Sequence, residues 1–538
     1  MRGEPRGGGE RHVSRGATLA ATVAAAGIVQ LPTAAIVVAI PTIHAEFDAS
    51  IAELQWTVTA FYIPFAALLI AAGRIADIFG RRRAFFAGAA LFAAGSLAAA
   101  VSGDIQLLIA GIALSGVGGA LLMPSSMAIL TNVFTGAGRG LAIGMWGAAT
   151  ELISGVGVVI GGVLTGELSW RWIFVVNIVV AVAMAVLAAR GARESRDPTV
   201  PREVDFPGVA LVASGLTALT LALIQGSTWG WGSAPTVALL AGSAVAFAAF
   251  ALVERRSRHP IIDFEFFRRR NFSGSMAVIF AMDFSFGALL FFLPLYFQEL
   301  LGYSPLETGV LLLPLTGLMV VGSPLGGQVA ARVGPRPPIV AGLAAMVAAI
   351  YWISTLSAST DYAELWVPTA LMGFGIGFAL TPMNLAAMNA VSRDHHGLAS
   401  GMLVTLSGLG STLGVAATGA IFQQLQTDRT VSLAADRGVT VSADQARELD
   451  GLLAGTPGAE HTLHQVAGGK ASEVHGAVRE AFVDALGASL KLSAAVVAAG
   501  LVLAAVLMRR TSEADAAPIA PMPATAVPRP TPRRTTAV

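Results

Sequence analysis

Long apolar stretches separated by short polar segments run along almost the whole of this sequence. A helix needs about 20 mostly apolar residues to cross the hydrocarbon core of a bilayer. Fourteen stretches approach or exceed that length, at residues 17–40, 54–74, 84–102, 106–130, 141–165, 172–189, 207–225, 235–253, 273–297, 306–331, 337–356, 364–388, 397–423 and 485–508. The pattern predicts an all-α integral membrane protein with fourteen transmembrane helices.

Several motifs occur twice, with offsets of 254, 257 and 258 residues. The paired segments are Gly73–Arg83 with Gly327–Arg336, Leu122–Pro124 with Leu380–Pro382, and Gly140–Met145 with Gly397–Met402. A near-constant offset predicts two copies of one six-helix bundle in parallel orientation. The seventh and eighth spans have no counterparts, so we expect them to be an insertion of two helices between the bundles.

These boundaries predict five parts of the chain. They are a disordered cytoplasmic tail (1–16), an N-terminal six-helix bundle (17–190), linkers with the inserted helices (191–270), a C-terminal six-helix bundle (271–508) and a second disordered cytoplasmic tail (509–538). Residues 424–484 are predicted to be an extracellular loop that contains a short helix with a capping box at Ser442 and Gln445. The loop is either a lid or contact surface, or a solvated spacer.

Composition narrows the possible functions. Only 12% of the 538 residues are charged, which leaves no polar run long enough for a separate soluble domain. The net charge of +1 argues against a nucleic-acid partner, and the absence of cysteine excludes disulfides and thiol chemistry. Neither of the two lysines, Lys470 and Lys491, precedes Ser or Thr, so the chain has no P-loop for ATP. We expect no enzyme activity, no cofactor and no metal, and any uphill transport must use an ion gradient or a separate ATPase subunit.

Arginine placement predicts the orientation in the membrane. Arginines cluster in the loops on the side of the N-terminus, whereas the short loops on the other side contain several acids and one arginine, Arg171. The positive-inside rule therefore places both termini in the cytoplasm. We expect a multi-pass protein of the plasma membrane, and a ratio of 32 Arg to 2 Lys indicates a GC-rich bacterial genome.

The segment Gly73–Arg83, GRIADIFGRRR, lies at a predicted cytoplasmic edge between the second and third spans. Gly73 and Gly80 permit close backbone approach at the turn. Asp77 can pair with an arginine, and Arg81 and Arg82 hold this edge on the cytoplasmic side. A positive-inside anchor without a further role is the alternative, but an anchor needs neither Asp77 nor the spaced glycines.

Two parallel bundles of six helices with this motif after the second helix resemble the major facilitator superfamily. The two extra helices make the chain similar to its 14-helix drug:H⁺ antiporter branch. Four further stretches support the resemblance, which covers residues 17–425 and the last span: Trp56–Ala60, Gly116–Pro124, Gly157–Gly162 and Ser169–Phe174. The resemblance implies a central cavity that opens alternately to each side, with Asp77 and Arg81 latching the cytoplasmic half when the protein opens outward.

The sequence departs from this family at three positions. Pro32 stands where relatives usually have an acid in the first helix, and Ile112 stands where they have an arginine in the fourth. The Gly-Pro pair of the antiporter motif in the fifth helix is Gly157-Val158 here. The resemblance implies proton coupling through the first two positions, so coupling in this chain requires other groups.

Two acids lie near the middle of predicted spans, Glu151 and Asp283. An ionisable group at that depth is costly, which makes each a candidate for a proton or substrate site; a neutral acid bonded to a carbonyl is the alternative. Superposing the repeats places Asp283 on Gln30, so the pair should face each other near the cavity axis. Asn177, Asn384 and Asn389 either bridge helices or line the cavity.

The predicted function is secondary active export of amphiphilic or cationic small molecules, by alternating access in exchange for protons. The expected partners are the small-molecule substrate, protons and the lipid bilayer, and the expected state is a monomer. A weakly coupled facilitator, or an exporter dedicated to one metabolite or lipid, is the alternative within transport. A non-transporting membrane sensor or scaffold is the alternative of another class.

Overall fold

The computed structural model describes residues 14–508 except 135–136, 193, 197–205, 257–263, 356, 358–359, 361, 392–395 and 468, and it omits the side chains of some helical positions, Glu151 among them. The predicted disordered tails lie almost entirely outside this range. The α-helices are α1 (Arg15–Phe47), α2 (Ile51–Phe79), α3 (Arg81–Ala100), α4 (Ile105–Val133), α5 (Ala137–Glu167), α6 (Arg171–Gly191), α7 (Phe206–Trp229), α8 (Ala234–Arg256), α9 (Arg270–Leu295), α10 (Pro305–Leu311), α11 (Leu313–Val333), α12 (Arg336–Ile353), α13 (Tyr362–Asn389), α14 (His396–Asp436), α15 (Ala443–Glu448), α16 (Pro457–Ala467) and α17 (Ala471–Leu507). Short 3₁₀ or π turns follow α8, α9 and α15.

All fourteen predicted apolar stretches are helical. Twelve helices in the described part of the chain are long and apolar enough to cross a bilayer, and α2, bent by 53° between Leu69 and Ala71, makes a thirteenth. Helix α5 has 31 residues. Its second half, Val156–Glu167, is an apolar helix among the described residues, but it is too short to count as a span. The count of fourteen spans therefore stays a prediction, while the all-helical membrane fold is confirmed.

Two bundles with the same internal packing confirm the repeat. Helix α1 packs on α4, α5 and α6, and its counterpart α9 packs on α13, α14 and α17. Glycines make close contacts in both copies: a Cβ at Gly157 would lie 2.8 Å from the Ala34 Cβ of α1, and one at its counterpart Gly414 would meet the Phe284 carbonyl oxygen of α9. Close helix contact therefore explains the glycine spacing of the fifth and thirteenth predicted spans.

The bundles meet along two pseudo-symmetric seams. Helix α2 packs on α14, and α5 packs on α10 and α11. The inserted helices form a hairpin, in which α7 packs on α2 and α14 while α8 packs on α7. The insertion is central in sequence but lies at the side of the molecule, over one seam.

Both ends of the described chain lie at one end of the molecule. Gly191 at the end of α6 lies beside Ser14, and Gly274 near the start of α9 lies beside Met508. We call this the terminal end. The opposite end, where α1 and α9 finish, carries the segment 424–484 and is the cap end.

The segment 424–484 is largely helical, which differs from the expected loop. Helix α14 continues to Asp436 and α17 begins at Ala471, with α15 and α16 between them. The expected capping box at Ser442 and Gln445 is present. Leu449, Val474 and other apolar residues form a separate small core, so burial of an apolar face stabilises helices where polarity alone had indicated a loop. We call residues 424–484 the cap.

Candidate functional site

A cluster of polar side chains lies where α1, α2 and α9 face one another in the middle of the molecule. The Thr33 hydroxyl donates a hydrogen bond to the Gln30 carbonyl oxygen at 2.8 Å. The Tyr62 hydroxyl lies near the Thr33 side chain and close enough to Asp283 for an electrostatic interaction. All four residues are half-buried. The cluster joins α1 and α2 of one bundle to α9 of the other.

Small residues of α14 shape this site from the other side. A Cβ at Gly410 would lie 3.3 Å from the Asp283 Cβ, and one at Gly408 would lie 3.8 Å from the Tyr62 ring. Because these positions have no side chain, the carboxyl of Asp283 and the ring of Tyr62 can occupy the seam between the bundles. Gln30 and Asp283 were predicted from the sequence, whereas Thr33 and Tyr62, which carry no charge, were not.

Two of the three positions that depart from the family resemblance come together in space. Pro32 and Ile112 line one very small pocket together with Thr33, Phe61 and Phe174. The pocket is mostly apolar and no acid or base lines it. The place where relatives are expected to have an acid and an arginine is therefore an uncharged pocket beside the Thr33–Tyr62–Asp283 cluster.

The other predicted site residues have varied positions. The side chain of Glu151 lies outside the described part of the structure, although the neighbouring α5 backbone at Ala149 lies near Gly27 of α1. Asn177 is fully buried in α6, and neither amide atom has a hydrogen-bond partner among the described residues. Asn384 is exposed and donates to the Leu380 carbonyl oxygen of its own helix, and Asn389, at the end of α13, is also exposed.

The motif at the terminal end forms a tight turn between α2 and α3. Asp77 accepts a hydrogen bond from Arg81 Nε at 2.9 Å and forms an ion pair with its guanidinium. Gly80 has φ of +117°, a conformation that L side chains rarely adopt. A Cβ at Gly73 would meet only the Pro124 Cβ, at an ordinary 3.5 Å. The turn therefore requires glycine at position 80 but not at 73.

The chain that follows α6 holds this turn. The Glu194 carboxylate accepts from the Arg82 backbone N–H at 3.1 Å, and the Ser195 carbonyl oxygen accepts from the Arg81 N–H at 3.0 Å. The Arg82 guanidinium lies over the Phe86 ring. These partners belong to the linker after the sixth predicted span, which the sequence had not connected with the motif.

At the cap end a buried polar pair joins the two bundles. His44 Nδ1 of α1 lies 2.9 Å from the Glu299 carboxylate, which follows α9 in a π-helical turn, and both side chains are 3% exposed. The amide of Gln298 donates to the Val38 carbonyl oxygen at 2.8 Å. His44 lies beyond the predicted first span, residues 17–40. Helix α1 continues through Pro41 to Phe47, and so places His44 against α9.

Comparison with known proteins identifies the family. The profile of the Major Facilitator Superfamily matches residues 22–415. The tetracenomycin C resistance and export protein of Streptomyces glaucescens is 31% identical, with 93% of this chain and 92% of the relative covered. The puromycin resistance protein pur8 of Streptomyces alboniger is 34% identical over 79% of this chain and 84% of the relative.

Solved structures show the same fold. A bacterial homologue of the human lysosomal transporter Spinster, in an inward-facing and occupied conformation, matches with a TM-score of 0.61 at 17% identity, covering 94% of this chain and all of the other. A peptide transporter in complex with sulfate matches with a TM-score of 0.57 at 15% identity. The chain therefore belongs to the major facilitator superfamily, a family of multi-pass membrane transporters.

Proposed function

We propose that this protein exports amphiphilic or cationic small molecules across the plasma membrane in exchange for protons. The relatives named for antibiotic resistance and export support the exporter assignment. The observation that carries the mechanism is the cluster of Gln30, Thr33, Tyr62 and Asp283 between the bundles. Asp283 is the one mid-span acid whose surroundings the structure describes, and those surroundings are polar on the α1 and α2 side.

In the proposed cycle, Asp283 alternately holds a proton and a cationic group of the solute. Tyr62 and Thr33 provide hydroxyl groups that can bond either form of the carboxyl. The carboxyl must be charged when the solute binds and neutral before the solute leaves. This requirement couples movement of the proton to movement of the solute. Glu151 remains a second candidate carrier on α5.

Two contacts serve as gates in this proposal. The His44–Glu299 pair joins the bundles at the cap end, and the Asp77–Arg81 turn acts at the terminal end. Rocking of one bundle against the other, as in transporters built from repeats, would break the first contact, whereas the second lies within one bundle and would hold α2 and α3 together at the terminal end. Separation of the bundles at the cap end would open the central cluster to that side of the membrane.

The uncharged pocket around Pro32 and Ile112 favours a second candidate, a weakly coupled facilitator or an exporter of one metabolite or lipid. The family resemblance implies a charged pair there, and this chain has neither charge. If Asp283 does not titrate during transport, the protein has no described mid-span acid to carry the proton. Transport would then follow the solute gradient alone.

Transport into inside-out vesicles with and without an imposed pH gradient tests the proposal. Puromycin, an amphiphilic amine, is a suitable probe. We expect Asp283→Asn to lose accumulation driven by the pH gradient but to keep downhill flux, because the amide retains shape and hydrogen bonding without titration. Glu364→Gln is the matched control, since Glu364 is an exposed acid at the edge of the same bundle.

Three results would contradict the proposal. Puromycin flux in the wild type that ignores the pH gradient would favour the facilitator. Uphill pumping by Asp283→Asn, Glu151→Gln and the double variant would remove both acids from coupling. Absence of flux for puromycin and for other amphiphilic probes would favour the sensor or scaffold.

The proposed orientation places both termini in the cytoplasm and the cap outside. An epitope inserted after Gly469 should be labelled on intact spheroplasts, and one after Arg510 should not. Gly469 suits insertion because it lies in a turn between α16 and α17, where an added Cβ would have no neighbouring atom within 4 Å. Labelling of the epitope after Gly469 only once the cells are permeabilised would contradict this orientation.

A further inference from the structure

The cap end contains a cavity of about 810 Å³ that is separate from the central cluster. The turn between α1 and α2, the cap-end part of α14, and the cap helices α15 and α16 enclose it. Its lining is rich in carboxylates, amides and hydroxyls, and among the described residues that line it histidine supplies the only aromatic rings. Its volume lies within the range of about 300–1,000 Å³ that is usual for small-molecule sites.

The lining is strongly acidic. Five carboxylates face one guanidinium, that of Arg447. Arg447 pairs with Asp444 at 3.0 Å. The other four carboxylates are those of Asp48, Asp428, Glu448 and Asp450. Among the described residues, no ion pair links any of them to a cation. The acids come from three separate segments, so the fold gathers them.

Two buried oxygen atoms in the lining also lack partners. Thr456 is 1% exposed, and its hydroxyl has no hydrogen-bond partner among the described residues. One carboxylate oxygen of Asp450, Oδ1, is likewise buried without a partner. Buried polar atoms are normally paired, and an N–H donor inside the cavity would satisfy both. This observation is independent of the charge count and points to a ligand with several donors.

The chemistry of the lining selects among cations. Flat aromatic cations bind best where aromatic rings stack on them, and this cavity offers only two histidines, His44 and His461. His44 is already engaged with Glu299. Ammonium groups instead need carboxylate, amide and hydroxyl oxygens, which the lining supplies from every side.

We propose that the cavity under the cap binds a hydrophilic organic cation with two or more amino groups, of the linear polyamine class. The site is distinct from the central cluster around Asp283, and its existence does not depend on proton-coupled export. Because His44 both lines the cavity and joins the bundles, the bound cation lies directly beside the cap-end gate.

Calorimetric titration of the full-length protein in zwitterionic lipid nanodiscs tests this site, with spermidine as the probe at low ionic strength. We expect one saturable binding event in the wild type. The variant Asp48→Asn/Asp428→Asn should bind spermidine at least about tenfold more weakly, because both acids line the cavity. Asparagine suits position 48, where φ is +48°.

The matched control is Asp436→Asn/Glu460→Gln. These acids are exposed on the same cap, do not line the cavity, and change the net charge equally. Spermidine affinity should stay within about twofold of wild type in this control, and Asp283→Asn should leave it unchanged. If the double cavity variant fails to fold, Glu448→Gln provides the second test and should weaken binding by a similar factor, because Glu448 also lines the cavity.

Four outcomes would overturn the proposal. They are absence of saturable binding in the wild type, unchanged binding in both cavity variants, equal weakening in the control, and loss of spermidine binding in Asp283→Asn. The last outcome would place spermidine in the central cluster. Failure of pH-driven puromycin flux would contradict the proposed function but would leave this binding result unaffected.

Discussion

His44 and Glu299 form a buried pair across the two bundles, 2.9 Å apart and each 3% exposed. The repeat gives Glu299 a counterpart in Glu46, which instead pairs with Arg171 at 2.7 Å inside one bundle. Equivalent acids therefore perform different tasks: Glu46 stabilises the N-terminal bundle, and Glu299 holds the bundles together. The π-helical turn Tyr296–Leu300 after α9 places Glu299 for this contact.

We expect Glu299→Gln to shift the protein toward a state open at the cap end. A hydrogen bond to a charged group contributes about 1.5–3 kcal/mol, so the ratio of states should change by about tenfold or more. Spin labels at Ala45→Cys and Val310→Cys report the separation of the bundles by pulsed electron resonance, without background because the chain has no cysteine. Glu46→Gln should leave the distance distribution unchanged, and an equal shift there would reject the gate.

Asp77→Asn tests the turn at the terminal end. The Asp77–Arg81 pair is 20–30% exposed, so its loss should cost folding only about 1 kcal/mol or less. Expression and membrane insertion should stay near normal while export falls about fivefold through the shifted balance of states. Arg83→Gln is the control, because Arg83 is 70% exposed and 3.8 Å from Glu194. Full export by Asp77→Asn would remove the motif from the mechanism, and collapsed expression would make it a folding anchor.

The two glycines of the motif should respond oppositely to alanine. Gly80→Ala forces a side chain into a backbone conformation with φ of +117° and should destabilise the protein by about 1–3 kcal/mol. Gly73→Ala meets only Pro124 at 3.5 Å and should be neutral or stabilising by up to about 1 kcal/mol, because alanine favours helix. Thermal unfolding in detergent measures both. Equal destabilisation would mean that α2 and α4 approach more closely at Gly73 than this structure shows.

Asp450 should make the cap less stable as the pH rises. Burial raises the pKa of its carboxyl well above the ordinary 3.8; nearby Arg447 lowers the pKa and Glu299 raises it. The folded cap therefore binds more protons than the unfolded chain, so stability falls from about pH 4 up to the raised pKa and is then constant. Asp450→Asn removes this loss. Hydrogen exchange of α15 and α16 should be slower in the variant than in wild type at pH 7.5, with a smaller difference at pH 4.5. A difference independent of pH would contradict the raised pKa.

The sequence predicted the membrane fold well because its signals are local. Each apolar stretch must satisfy its backbone hydrogen bonds inside a helix, so length and composition were enough to predict that the fourteen apolar stretches are helical. Motifs that recur at a nearly constant offset, such as Gly140–Met145 and Gly397–Met402, predicted the repeat. The capping box at Ser442 is likewise a local arrangement.

The site was only partly predictable. Mid-span charge marked Asp283, because an acid at that depth is costly in any fold. Thr33 and Tyr62 gave no such signal, since uncharged polar residues are common in spans, and their roles depend on which helices meet. Polarity misled the prediction for residues 424–484, where the cap helices bury a separate apolar core.

By itself, the sequence determined the helices, the repeat and the position of the costly acid, all of which follow from the chain's local chemistry in a membrane. Only the tertiary structure decided that His44 meets Glu299, that Pro32 and Ile112 share an uncharged pocket, and that five carboxylates surround one cavity under the cap. These relationships join residues far apart in sequence. Helix packing fixes them, and no local pattern encodes which faces come together.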